Sequence, residues 1–152
     1  MRDAIGQVFT LQIILAFVLL INGYMAYSVN YTRAFRVKNR IVDIIEQYEG
    51  PYNDEAIAKI NSYIDQMTYE VPPRLVQDFL NDYGSNADES SCQNGWCYIA
   101  HEVSIDEADG ERKGRYYSVV TFVNINIPVI NNIVGLGDFL RVVGETRTIY
   151  YE

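Results

Sequence analysis

Two cysteines, a single histidine and a run of carboxylates are the residues in this chain whose types and spacing suit chemistry. Cys92 and Cys97 enclose Gln93-Asn94-Gly95-Trp96, and an Asn-Gly turn inside so short an interval can bring two sulfurs together. The spacing favours a disulfide, ahead of free thiols and well ahead of a metal site. Cys-x-x-Cys redox spacing is absent, and two cysteines with the distant His101 make a poor zinc set. His101 has no partnered nucleophile in a recognisable motif and falls on the apolar register of its strand, so it reads as a core histidine. Asp106, Glu107, Asp109 and Glu111 depart from the Asp-x-Asp-x-Asp-Gly spacing of a calcium loop and read as a solvated hairpin tip. Asn30-Tyr31-Thr32 fits a glycosylation sequon at a membrane edge, where chance is the better account. With no nucleophile, metal set or phosphate loop in view, no enzyme, cofactor or metal is expected.

What must position these residues begins with the stretch from Ala4 to Thr32, 29 residues without a charge. Crossing ~30 Å of hydrocarbon takes ~20 apolar residues, so the stretch spans a bilayer with some tilt. It is longer than the ~7–15-residue apolar core of a cleavable signal, and Ala26-Tyr27-Ser28 is a poor cleavage motif, so a retained anchor is expected. Beyond Thr32, Phe35, Val37, Ile41, Ile44, Ile45 and Tyr48 recur at helical spacing, with Arg36, Lys38, Arg40, Asp43 and Glu46 opposite. The helix is expected to run from about Gln7 to Tyr48 and to stop at Gly50-Pro51. Within it, Asn22-Gly23 is the weakest link, either a tolerated small residue or a point that unwinds when subunits pack.

The chain thus divides into a candidate leader (1–6), a transmembrane helix (7–32), an amphipathic extension of the same helix (33–49) and a globular head (50–152). In the head, Asn53 or Asp54 caps a helix carrying Ile57, Ile60, Ile64 and Met67 on one face. Pro72-Pro73 opens a second with Leu75, Val76, Phe79 and Leu80. Gly84 to Asn94 reads as a polar loop. Cys97, Ile99, His101, Val103 and Ile105 alternate as one strand, and Tyr117, Val119, Thr121, Val123, Ile125 and Ile127 as another. Asp109-Gly110 makes the hairpin between them, and a further strand is expected from Phe139 to Tyr151 after a linker over Pro128 to Gly137. The fold class expected is α+β, with a long helix laid on a small C-terminal antiparallel sheet of three or four strands.

Charge narrows the partners. From Gly50 onward there are 16 carboxylates against seven basic residues, a head charge near −9, so nucleic acid is not expected as a partner. Arg33, Arg36, Lys38 and Arg40 gather just beyond the anchor, where lipid headgroups lie, and Tyr24, Tyr27 and Tyr31 suit an interfacial belt. That basic cluster taken alone places the head in the cytoplasm, whereas a disulfide and an acidic surface suit an exported domain. An extracytoplasmic head is the expectation adopted.

The order of these elements resembles the type IV pilin-like proteins, including the TadE-like branch. The segment Gly6-Gln7-Val8-Phe9-Thr10-Leu11-Gln12-Ile13 is similar to the region where prepilin peptidase cuts after glycine. Phe9-Thr10-Leu11 resembles the Phe-Thr-Leu of type IV pilins, and Gly6-Gln7 the Gly-Gln start of TadE-like chains. The resemblance implies processing between Gly6 and Gln7. It also implies a filament of identical or pilin-like co-subunits at the cell surface, built on the helix residues Phe9, Leu11, Ile13, Ile14, Phe17, Leu20 and Ile21. One position departs: the family's glutamate, five residues past the glycine, is Leu11 here. In the family that carboxylate is thought to pair with the N-terminal amine of a neighbouring subunit. The runner-up is a single-pass, non-polymerising binding or accessory domain of a secretion or conjugation apparatus.

Overall fold

A computed structural model of the protein describes residues 2–83, 90–107, 110–124 and 141–151. Helix α1 (Arg2–Gln47) is one unbroken element of 46 residues, roughly 70 Å long at ~1.5 Å per residue. It contains a stretch long and apolar enough to cross a membrane. Asn22-Gly23 does not interrupt it: the Asn22 amide donates to the Val18 carbonyl at 2.7 Å, and the Thr32 hydroxyl to that of Ser28 at 2.8 Å. These two polar side chains are thereby satisfied within the helix. The helix ends at Gln47, within a residue of the expected end at Tyr48, where Glu49 turns left-handed (φ 56°) and the Gly50 N–H bonds back to Ile45.

The buried face of the extension is the expected one at Val37, Ile41, Ile44 and Ile45 and differs at Phe35 and Lys38. Ala34, Val37, Lys38, Ile41, Ile44 and Ile45 are buried, while Phe35 stays 42% exposed. At about 100° per residue, Ala34 and Lys38 lie in line with Ile41 and Ile45, and Phe35 falls a quarter-turn away. Lys38 is therefore a core-side residue, not a solvated or headgroup-facing cation. Its stem packs where Gly144 lacks a side chain, since a Cβ there would come within 2.5 Å of Lys38 Cδ. Its ammonium lies 4.4 Å from the centre of the Phe35 ring.

Helix α2 (Asp54–Gln66) is capped by Asn53, whose side chain accepts the Glu55 N–H at 2.9 Å. It buries Ala56, Ile60 and Ile64, leaving Ile57 and Met67 at the margin. Helix α3 (Pro73–Tyr83) buries Phe79. Five antiparallel strands follow: β1 (Ser90–Gln93), β2 (Trp96–Glu107), β3 (Gly110–Phe122), β4 (Arg141–Glu145) and β5 (Ile149–Tyr151). The order is β1-β2-β3-β4, with β5 also paired to β3.

The sheet differs from the expected one in two places. The end of the presumed polar loop is strand β1, joined to β2 through Asn94 (φ 41°) and Gly95 (φ 83°); both positive φ values belong to a tight hairpin turn. Residues 84–89, the rest of that loop, lie outside the described residues, as does the linker over Pro128 to Gly137. The last strand is two strands, because one extra residue between Glu145 and Ile149 shifts the register against β3. Thr146 stabilises this bulge by exchanging bonds with Tyr117: its N–H reaches the Tyr117 carbonyl at 3.0 Å, and its hydroxyl accepts the Tyr117 N–H at 2.9 Å.

Glu107 pairs with Gly110, so odd-numbered residues of β2 oppose even-numbered residues of β3. Cys97, Ile99, His101 and Val103 of β2 therefore lie on the opposite face of the sheet from Tyr117, Val119 and Thr121 of β3. Trp96, Tyr98, Tyr117, Val119, Val142 and Ile149 join Ala34 to Ile45 of α1 and the buried face of α2 in one core. Cys97, Val120 and Phe122 meet Phe79 of α3 in a second core. The sheet is a middle layer, covered by α1 and α2 on one side and α3 on the other.

Tyr69, between α2 and α3, closes the end of the sheet. Where β2 has already turned away at Gly95, the Tyr69 hydroxyl accepts the Phe122 N–H at 2.7 Å and lies 2.9 Å from the Phe122 carbonyl. Burial pushes this hydroxyl's pKa well above its ordinary value of 10.0. Tyr69→Phe leaves a buried N–H without an acceptor and is expected to cost about 1–3 kcal/mol. The neutral hydroxyl belongs to the folded state, so its stabilisation is complete below the unfolded pKa of 10.0 and is lost as pH rises toward the higher folded value. Thermal unfolding of the full chain in detergent should therefore show a gap between wild type and Tyr69→Phe that is constant to about pH 9 and narrows above about pH 10.

Candidate functional site

The first functional feature is the unpartnered half of α1. Phe9, Leu11, Ile13, Ile14, Phe17, Leu20 and Ile21, the residues assigned to assembly, are between 46% and 69% exposed. Every residue from Gln7 to Asn22 is exposed, so no sector of this half packs on the chain's own head. A helix apolar around its whole circumference is one that lipid or other helices surround. Gly6 and Gln7 lie within the helical backbone of the first turns.

Exposure ends abruptly. Tyr27 packs at the margin of the head's core, and from Ala34 onward one face of the same helix is buried. Outside that face, Tyr27, Tyr31 and Phe35 stack in succession, with ring centres 5.9 and 6.4 Å apart. Arg33, Arg36 and Arg40 are exposed and form no ion pair with any described residue. Beside Arg33 opens a concavity of about 250 Å³, lined by Asn30, Arg33, Thr68, Tyr69, Glu70 and Asn124. The head is clamped to the top of α1 by Tyr48, whose hydroxyl donates to Glu55 at 3.0 Å and accepts from Lys59. That hydroxyl raises the pKa of Lys59.

Cys92 and Cys97 are bonded, closing the β1–β2 hairpin at directly opposed positions whose Cα atoms are 4.0 Å apart. Closing so short a loop contributes about 2 kcal/mol in the chain-entropy account. The bond sits against Phe79, pinning the edge strand beneath α3.

His101 is half-buried rather than a core residue. Its Nε2 is 3.0 Å from the Ser118 hydroxyl and its ring stacks on Tyr116 at 4.6 Å. The pairing with Ser118 arises from the parity of the β2–β3 register and had no signal in the sequence. Glu102, the neighbouring carboxylate, pairs with Arg115. Among the described residues no group of three or more His, Cys, Asp or Glu is placed to hold a metal ion. Asp109 lies outside the described residues, as do the side chains of Asp106, Glu107 and Glu111.

The arrangement defines an α+β head carried on one long apolar helix. No family model, curated protein or solved structure matches this chain.

Proposed function

We propose that the protein is a pilin-like structural subunit, anchored in the membrane by α1 and assembled into a type IV, Tad-type or pseudopilus filament when the helices of several copies or co-subunits pack together. The observation that carries this reading is the division of one continuous helix into an N-terminal half exposed on all sides and a C-terminal half buried in the head. A rigid rod fixed in its own head presents its apolar half at a defined angle, as repetitive helix packing requires. In the bilayer that half is solvated by lipid; in a filament, neighbouring helices replace the lipid. The head faces the extracytoplasmic side in this reading, consistent with the disulfide and the acidic surface. The role is structural rather than enzymatic, without cofactor or nucleic acid.

Leu11 favours a second reading, a membrane-anchored accessory domain that does not polymerise, since no carboxylate in the anchor is available to meet the amine of a neighbouring subunit. Electron microscopy of surface filaments, together with mass spectrometry of the mature N-terminus, separates the two. Filaments containing a chain that starts at Gln7 support the first; a chain starting at Met1, found only as a membrane monomer, supports the second.

A further inference from the structure

We propose that the concavity at the foot of the head binds the phosphoethanolamine headgroup of a membrane lipid, with the phosphate at Arg33 and the ammonium at Glu70. The inference rests on the membrane-anchoring part of the proposed function and is independent of filament assembly. The ~20 residues needed to cross the hydrocarbon leave the end of the uncharged stretch, Asn30 to Thr32, at headgroup level. Arg33 is the first charge beyond it.

The site's chemistry is dipolar. Arg33 and Glu70 line the same space but do not form an ion pair, and neither has another charged partner among the described residues. Asn30, Thr68 and Asn124 add neutral hydrogen-bonding groups to the same lining. The walls are fixed in advance: the Tyr69 hydroxyl is held by Phe122, and the Asn124 amide donates to the Glu70 carbonyl at 3.2 Å. A volume of about 250 Å³ is several times the ~30 Å³ share of one water, enough for a compact polar group.

Selectivity follows from the donors. A primary ammonium donates hydrogen bonds to the Glu70 carboxylate. The quaternary ammonium of a choline lipid has no N–H to give, and a glycerol headgroup carries no cation. Net anionic attraction by arginines alone has the opposite ranking, favouring the glycerol lipid.

The test reconstitutes the full chain in vesicles containing equal parts phosphatidylethanolamine, phosphatidylcholine and phosphatidylglycerol, then counts retained lipid by native mass spectrometry. Retention of the ethanolamine lipid over the choline lipid by about tenfold is expected, the scale of one charge-assisted hydrogen bond. Glu70→Gln should bring the ratio near one and Arg33→Gln should lower retention of all three phosphate-bearing lipids, whereas Arg36→Gln, outside the lining, should leave both readings unchanged. Both lining side chains are exposed, and an intact Cys92–Cys97 bond checks the fold of each variant. Equal retention of the three lipids, preference for the glycerol lipid, or indifference to Glu70→Gln overturns the proposal. Binding of soluble glycerophosphoethanolamine as tight as that of the ethanolamine lipid assigns the site to a free ligand and overturns the lipid source. A chain that does not float with the vesicles refutes membrane anchoring and this site together, while absence of filaments in cells leaves the lipid ratio as the deciding result.

Discussion

Ile41→Asp is expected to unfold the head while leaving the chain in the membrane. Ile41 is fully buried between α1 and the sheet, in the core that includes Ile45, Val119 and Val142. Removing the side chain's apolar bulk costs about 2–5 kcal/mol. Placing a carboxylate there without a partner adds several more. A small domain has about 5–15 kcal/mol in total, so the substitution consumes most or all of it. The measurement is limited proteolysis of membrane fractions. Wild type should yield a resistant fragment containing the Cys92–Cys97 hairpin, and Ile41→Asp should be digested up to the anchor. Persistence of the resistant fragment in Ile41→Asp would mean that the extension of α1 is not part of the head's core.

Leu15→Asp should have the complementary effect, abolishing stable insertion while the head stays folded. Leu15 is 55% exposed and touches no part of the head's core. On the insertion scale the exchange replaces a contribution of about −0.5 kcal/mol with one of about +3, a swing equivalent to two to three orders of magnitude in partitioning. Flotation on a density gradient should move the chain from the membrane to the soluble or aggregated fraction. The thermal midpoint of the detergent-solubilised chain, which reports the head, should change by the equivalent of no more than about 0.5 kcal/mol. A large loss of head stability in Leu15→Asp would contradict the division of α1 into two independently solvated halves.

These two substitutions also mark where the sequence is readable. An uncharged run of 29 residues identifies itself, because insertion depends on a sum of local transfer energies. Helices α2 and α3 were readable for a similar reason: Asn53 and Pro73 are local start signals, and the apolar spacing behind them is helical. The short Cys92–Cys97 interval with Asn94-Gly95 inside it favoured the disulfide, since a two-residue turn brings its flanking residues opposite each other. The end of α1 was readable from Gly50-Pro51 to within a residue; that Glu49 is the position to turn left-handed had no signal of its own.

Within the head, the sequence is silent wherever a residue's role depends on a partner far along the chain. Phe35 looked like a core residue and Lys38 like a surface one. Gly144, more than a hundred positions away, provides the space that reverses them. His101 was read as a core residue, although its partners Ser118 and Tyr116 are set by how β2 registers against β3. Nothing near Tyr69 marks it as the group that satisfies Phe122, 53 residues later.

The sequence by itself determined that this protein has one long apolar helix, a small acidic α+β head and a cysteine pair at hairpin distance, because each depends on composition or on spacings of a few residues. The tertiary structure alone decided which face of each strand meets which helix, that the sheet is covered on both sides, and that Arg33 and Glu70 share a concavity beside the anchor. The physical reason is parity: side chains alternate faces at every residue, so a register set by one turn assigns every residue of the paired strand, and no local pattern encodes that choice.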